Sequence, residues 1–502
     1  MCRVDARFSY AVGPTLVMDP PTPPQSLQRF HVCAAALLAL CIVPVWWAPA
    51  VPMQDYPQHL FVTAVLREEH PEWAQYYARQ LTLTPYTGFY WVACALSPVF
   101  GLDGAGRVFV TAYWLLIGLW VLRMTDGART PPWAALAAFP LAVSQVYFHG
   151  FLNYLFALPL VMLALQELRL SATQHFGWAR LVLHAALLLC VVWFHPLCLY
   201  VYALLAGVEL AFTRDSVTPW SQRVLPALVV LAGLALWQVQ AYRDVQKQVW
   251  WAPIDDSLRY LSLLLTGMRA QPPWAAVHGL CFLVLVGALL TGGAWRALDR
   301  RDLLQALALA LAYLIVAFRI GSYTYVSWRL APLLGLMLAA VFARAALSRR
   351  ASLVVVTACA LLTLDAALLQ LQVGAESAEI RALVSKVKPR SRVTAINFAA
   401  DSRYLHPQYF NLMHEHDIFY YSLQAGGVSP FLWSDPLIPV RKLPALTLTP
   451  PRSLQDLLSQ GYAAVFSRRA NPAFAHTLDP AYVLRGQSGD WSVFERRSNG
   501  VH

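Results

Sequence analysis

Long apolar runs separated by short polar connections fill the first three quarters of the chain. The first run goes from His31 to Pro49. Others occupy about 107–122, 133–148, 150–168, 180–194, 197–213, 224–241, 274–295, 303–318, 330–345 and 352–372. A helix needs about 20 mostly apolar residues to cross a bilayer, so this pattern predicts a bundle of membrane-spanning helices. The stretches 133–168 and 180–213 are each too long for one tilted span. His149-Gly150 interrupts the first and His195-Pro196 the second, which predicts two tight helical hairpins. Leu60, Phe61, Ala64 and Val65 fall on one helical face, so 57–79 is predicted to be an amphipathic segment lying on the surface. Beyond residue 373 the pattern changes to that of a small α/β unit. Arg392–Phe398, Ala463–Ser467 and Trp491–Glu495 are strand-like, with a helix at Ser453–Ser459.

Composition agrees. Hydrophobic residues make up 58% of the 502 positions and charged residues 13%, with a mean hydropathy of +0.48. A soluble protein carries roughly 25% charged residues, so an ordinary cytosolic enzyme, a disordered chain and a secreted disulfide scaffold are all excluded. Seven of the eight cysteines lie in or beside apolar runs and none follows Cys359, so the C-terminal unit has no disulfide available.

The net charge of +11 comes almost wholly from arginine, the lysines being only Lys247, Lys386, Lys388 and Lys442. These charges sit at the ends of apolar runs and do not cluster, which argues against nucleic acid and for membrane orientation. Arg123, Arg129, Arg169, Arg180, Arg214, Arg223, Arg296, Arg300, Arg301, Arg344, Arg349 and Arg350 occupy short connections. All of them reach the cytoplasm only if Tyr86–Leu102 does not cross, which predicts about eleven spans. Residues 1–30, rich in proline, then form a cytoplasmic disordered tail. Residues 31–373 form the membrane domain with an outer surface loop at 51–106, and 374–502 form an extracytoplasmic α/β domain. Asp55, His59, His149, Asn153, His195, Asp255, Asp256, Arg319 and Arg329 gather at the outer face, and ionisable groups collected there are the strongest site signal in the sequence.

The sharpest local feature is Val51-Pro-Met-Gln-Asp-Tyr-Pro-Gln-His59, directly after the first span. Pro57 suits the first turn of a helix, which puts Asp55 at the cap and His59 a turn later. Asp55 and His59 are the catalytic candidates: a carboxylate held there can take a proton from a sugar hydroxyl, or it can simply cap the helix beside a solvated histidine. His149 and His195 mark hairpin turns, where they can donate to a phosphate or be satisfied by backbone. Trp250 and Trp251, near Asp255 and Asp256, suit either acceptor recognition or headgroup anchoring. His414 and His416 flank Glu415, a weak metal spacing. No phosphate-binding glycine loop or HExxH is present.

The acidic residue after the first span, two surface-lying segments before the second, a many-span core and an outer C-terminal domain together resemble the GT-C glycosyltransferase superfamily. Phe148-His-Gly-Phe-Leu-Asn-Tyr154 and Ser327-Trp-Arg-Leu-Ala-Pro332 are similar to stretches recurring in its bacterial members. The resemblance implies an α-helical polytopic fold in the bacterial inner membrane. It also implies sugar transfer from a polyprenyl-phosphate donor to an envelope glycan, lipid or protein acceptor at the periplasmic face, with Asp55 as general base. The family often has an acidic pair at this place, whereas here Tyr56 follows Asp55. Arg319 and Arg329 bracket a loop containing Tyr323, where guanidinium groups suit a lipid phosphate and aromatic faces a sugar. They equally suit an aromatic belt with snorkelling arginines. With these, Trp250, Trp251, His149, Asn153 and His195 form the expected substrate-binding set. The sequence demands no metal, and divalent-cation use is left open. The rival readings are a lipid or glycan transporter and a non-catalytic membrane subunit of an envelope polysaccharide system.

Overall fold

The computed structural model describes residues 24–126, 130–174, 177–213, 216–241, 249–292, 298–320, 324–407, 410, 412–432, 438–451, 453–478 and 480–497. Residues 1–23 of the expected tail, Arg129, Arg214, Arg296 and Tyr323 lie outside them. Residues 24–30, expected as part of the tail, instead open α1, which begins at Pro24 and runs to Trp47. It is followed by α2 (Tyr56–Leu66), β1 (Tyr77–Arg79), α3 (Gly88–Arg123), α4 (Ala138–Ala142), α5 (Gln145–His149), α6 (Leu152–Thr173), α7 (Trp178–Phe194), α8 (Pro196–Phe212) and α9 (Trp220–Ala241). Then come β2 (Val249–Trp250), α10 (Ile254–Thr266), α11 (Pro272–Thr291), α12 (Arg300–Ile315), β3 (Arg319–Ile320), α13 (Leu330–Ala343) and α14 (Arg349–Ser377).

Six described helices are long and apolar enough to cross a membrane, and three shorter apolar ones (α7, α8 and α13) lie among them. Every apolar run of the sequence is a single helix except one. The expected half-hairpin 133–148 is instead a 3-10 turn followed by α4 and α5. Pro131 and Pro132 delay its start, and the chain turns at Val143 and Ser144 between the two short helices. Its residues are buried almost throughout, so it plugs the bundle interior and does not face lipid. The two predicted breaks are real. Gly150 adopts a left-handed conformation (φ 79°) after α5, and His195 is extended ahead of Pro196, as the residue before proline prefers. The α3 helix is kinked at Gly101 (φ 72°, ψ 170°), which divides the Tyr86–Leu102 stretch from the long apolar segment after it. In the bundle α1 packs between α3 and α14, while α6 touches α3, α7 and α8.

The C-terminal unit contains α15 (Arg381–Val384), β4 (Val393–Asn397), α16 (Phe419–Ala425), β5 (Val440–Lys442), α17 (Leu454–Ser459), β6 (Ala464–Arg468), α18 (Pro472–Leu478), β7 (Tyr482–Ser488) and β8 (Trp491–Arg496). Its sheet has the order β4-β6-β8-β7, with β4 and β6 parallel and the other pairs antiparallel. The three strands read from the sequence are all in this sheet. The half-exposed β7 was not read, because glycine and polar residues break its alternation.

This unit is bolted to the membrane part. β1 pairs antiparallel with β5, placing Tyr77 opposite Lys442. The Trp73 indole N–H donates to the Gly426 carbonyl at 3.1 Å, and Phe61 of α2 packs on Phe419 of α16 with ring centroids 4.8 Å apart. The α2 helix is therefore covered on nearly every side from Tyr56 to Val65. It is not the amphipathic surface helix expected, because the C-terminal domain covers the face meant for water.

Candidate functional site

Asp55 is placed by backbone. The Gln54 and Asp55 amides donate to the carbonyls of Phe148 (2.8 Å) and His149 (3.1 Å), so the turn after α5 clamps the turn before α2. Gly150 makes this approach feasible. A Cβ there would meet the Asp55 nitrogen at 3.1 Å and Met53 Cβ at 3.0 Å, besides needing a positive φ. Asp55 occupies the N-cap position of α2, but its side chain makes no capping bond. The residue is 1% exposed, and neither carboxylate oxygen has a hydrogen-bond partner. The nearest cationic candidate is His416 Nε2, 3.5 Å from Oδ1. Burial pushes the Asp55 carboxyl well above the usual range. The Glu415 charge adds to this, and the Arg329 guanidinium opposes it.

Around this carboxylate stand five more of the predicted residues. Arg329 is buried just ahead of α13 and donates from Nη1 to His195 Nε2 at 2.9 Å, its guanidinium 4.1 Å from the Phe151 ring centroid. Proline at the start of α8 frees His195 from the helix and turns it to this partner. His149 Nδ1 lies 3.2 Å from Gln54 Oε1, with its ring stacked against Tyr325 at 5.0 Å. His59 Nδ1 meets the Tyr90 hydroxyl at 2.9 Å, and burial pushes its imidazole down to about 4. Neither His59 nor His149 is a solvated turn residue. Asn153 is buried with them, but its amide serves the backbone: Oδ1 accepts from Phe89 N–H (2.8 Å) and Nδ2 donates to the Tyr86 carbonyl (3.1 Å). It shapes the wall, and both ends of its side chain are already engaged.

Other predicted residues stand apart. Arg319 and Trp250 are cross-strand partners on the exposed two-stranded ribbon β2-β3. Trp251, also exposed, donates to the Ile315 carbonyl. Phe318 links this ribbon to the buried cluster, its ring contacting Trp250 on one side and Tyr325 on the other. Asp255 and Asp256 sit in the first turn of α10, with Asp255 exposed and facing Arg259.

What the sequence did not reveal is the C-terminal contribution. The loop 414–417 brings Glu415 and His416 against Asp55, and the only signal for it was the His-Glu-His triplet, read as a weak metal spacing. Among the described residues no group of three or more His, Cys, Asp or Glu side chains is arranged to hold a metal ion. His414 points the other way. Its Nδ1 lies 2.6 Å from Asp417 Oδ2 and its Nε2 3.5 Å from Glu376 Oε1. Glu376, on the last turn of α14, also receives Arg468 (2.5 Å), the Ser402 hydroxyl (2.5 Å) and the Arg403 amide (2.9 Å). That knot fixes the loop and sets the direction of His416.

At the far end of α6, about 33 Å away by helix rise, a cavity of about 490 Å³ is lined by Arg123, Arg169, Arg301, Asp302 and Arg344. Its guanidinium groups are matched by Glu167, Glu209, Asp299 and Asp302. This network ties α3, α6, α8, α12 and α13 together.

A helical bundle with an acidic turn after its first helix, a kinked second long helix and a docked C-terminal α/β domain defines a polytopic membrane protein with a GT-C fold. No family model and no curated protein match the chain by sequence. By structure it is similar to ArnT from Cupriavidus metallidurans, solved in a crystal structure bound to undecaprenyl phosphate. The TM-score is 0.57 at 13% identity, over 94% of this chain and 99% of that one. At that identity the likeness shows the shared fold.

Proposed function

We propose that this protein is a glycosyltransferase that moves a sugar from a polyprenyl-phosphate donor to an envelope glycan, lipid or protein acceptor, at the periplasmic face of a bacterial inner membrane. One observation carries the reading: the Asp55 carboxylate is buried, relieved of capping and unsatisfied, beside a buried guanidinium. Leaving such a group without a partner costs free energy, and a substrate that supplies the missing donor removes that cost. A hydroxyl is such a donor. Its proton passes to Asp55, its oxygen attacks the anomeric carbon with inversion, and the bond from that carbon to the phosphate oxygen breaks. The departing lipid phosphate gains negative charge, which Arg329 is positioned to stabilise. A carboxyl whose affinity for protons is raised above the ordinary carboxylate range is a better base than an ordinary one.

The undecaprenyl phosphate bound to ArnT supports the choice of lipid carrier. In this reading the 51–106 loop and the domain after α14 share the periplasmic side, and the Arg-rich end of the bundle faces the cytoplasm. Turnover of a radiolabelled polyprenyl-phosphate sugar by the purified protein tests the proposal, together with lipid-linked glycan profiles of cells with and without it. Full activity of Asp55→Asn would falsify the assignment of the base and favour a transporter or binding subunit.

A further inference from the structure

We propose that His416 and Glu415 form the route by which the proton leaves Asp55. This extends the reading of Asp55 as general base and assigns a task to the C-terminal domain. A base that collects one proton per transfer must lose it before the next. Asp55 is 1% exposed and so has almost no contact with water of its own. His416, equally buried, holds Nε2 3.5 Å from Asp55 Oδ1 and 4.0 Å from Glu415 Oε2. The Glu415 side chain is 38% exposed. One imidazole nitrogen thus stands between a closed carboxylate and an open one. Both separations are longer than direct hydrogen bonds, and contraction of about 0.5–1 Å on substrate binding would close them.

The step balances without a further reactant. The acceptor proton moves to Asp55 Oδ1, from there to His416 Nε2, then to Glu415 and to water. One proton is released for each sugar transferred, balanced by the one negative charge that the lipid phosphate gains when its bond to the anomeric carbon breaks. The groups facing Asp55 come from every neighbouring element. His59 is on α2, His149 and Gln54 lie on the clamped turns, Arg329 precedes α13, and Glu415 and His416 arrive from the C-terminal domain. Tyr325, in the stretch before α13, also lies in the field of both Asp55 and Glu415. Burial, with these two charges adding to it, pushes its hydroxyl up and makes it a poor carrier near neutral pH. The imidazole of His416, 3.5 Å from Asp55 and 4.0 Å from Glu415, is the group suited to relay a proton between them. Burial, with His59 adding to it, pushes its imidazole down to about 3. It therefore rests neutral and carries the proton only in passing, as a shuttle does.

The hold on the loop supports this role. His414 donates its backbone amide to the Ala400 carbonyl at 2.9 Å, and Phe419 donates to the His416 carbonyl at 3.0 Å, so His416 is fixed by its neighbours' bonds. Its Nε2 faces Asp55 Oδ1.

The test separates chemistry from proton release in the full-length protein. In His416→Gln, transfer of the first sugar in a single turnover should stay within about 3-fold of wild type, while steady-state kcat falls about 10- to 100-fold. Glu415→Gln should behave alike and recover in part with a small diffusible buffer such as imidazole. Equal loss of single and multiple turnovers, or no loss of either, would overturn the route. A second readout does not need turnover: labelling of Asp55 by dicyclohexylcarbodiimide, which attacks protonated buried carboxyls, followed by mass spectrometry across pH. Glu415→Gln removes a negative neighbour and should lower the half-labelling pH by about one unit. His416→Leu should raise it. Unmoved half-labelling in both variants would refute the coupling. If both shifts appear but no polyprenyl-phosphate sugar turns over, the coupling stands and the glycosyl-transfer reading falls.

Discussion

Asp55 is a carboxylate at a helix start that does no capping, and this sets what its substitution does. In Asp55→Asn, transfer should fall by about 10²–10⁴, while folding is nearly unaffected because no capping bond is lost. Stability should also respond to pH in a defined direction. The folded carboxyl keeps its proton above the ordinary carboxylate range, so the folded state binds more protons than the unfolded state there. Wild type therefore loses stability as pH climbs from about 4 towards the raised value, and Asp55→Asn lacks that decline. Melting curves of both proteins across pH check this, and an identical slope would refute the buried charge. His59→Gln should be milder for transfer, since His59 Nδ1 is occupied by the Tyr90 hydroxyl. Arg329→Ala should weaken donor binding by about 2 kcal/mol or more, and Arg319→Lys hardly at all. Arg329 is buried against His195, whereas Arg319 stands on an exposed ribbon. Donor affinity measured on both variants decides, and equal wild-type values would make both residues mere anchors. Asp55 could be read from the sequence, because proline and a cap-like position mark it locally. His416 could not, because its partner is distant in the chain and only the fold unites them.

Among the elements, the turn after α5 has the tightest tolerance. Gly150→Ala forces a side chain into a left-handed backbone and against the Asp55 nitrogen. The conformational strain alone costs about 1–2 kcal/mol, and the displaced turn should lower transfer as well. Gly207→Ala, in the middle of α8 with nothing within 4 Å of its added Cβ, is the control. It should leave stability unchanged or raise it by up to about 1 kcal/mol. Thermal denaturation of the two variants makes the comparison, and equal effects would show that the close approach at Gly150 is dispensable. Most helices were legible because apolar length is a strong signal, and the breaks at Gly150 and Pro196 because these residues have few backbone options. The run 133–148 misled because hydrophobicity reports burial in lipid and burial in protein alike. For α2 the same ambiguity acted in reverse: a two-faced pattern gave no hint that another domain would cover the second face.

At the scale of the whole molecule, the arginine distribution and the docking of the C-terminal domain make a joint prediction about sides. Single cysteines at exposed Leu484 and Arg350, in a background without native cysteines, should label differently in spheroplasts. An impermeant reagent should reach position 484 directly and position 350 only after permeabilisation. The opposite pattern would invert the orientation. The α/β character of the last quarter was readable from its strand pattern, but its attachment was not. The β1-β5 pairing joins two three-residue strands far apart in sequence, and backbone bonds of that kind leave no side-chain signature. The attachment also bears on how the protein matures. During synthesis the segment with Asp55 reaches the membrane early, and the loop with His416 is made near the end. Until that loop arrives, the carboxylate is open to water, with the acidity of any surface aspartate and little force as a base. If Asp55 is the proposed base, a chain cut short before residue 414 should be inserted but inactive, its reactivity withheld until the last domain has closed over the first turn.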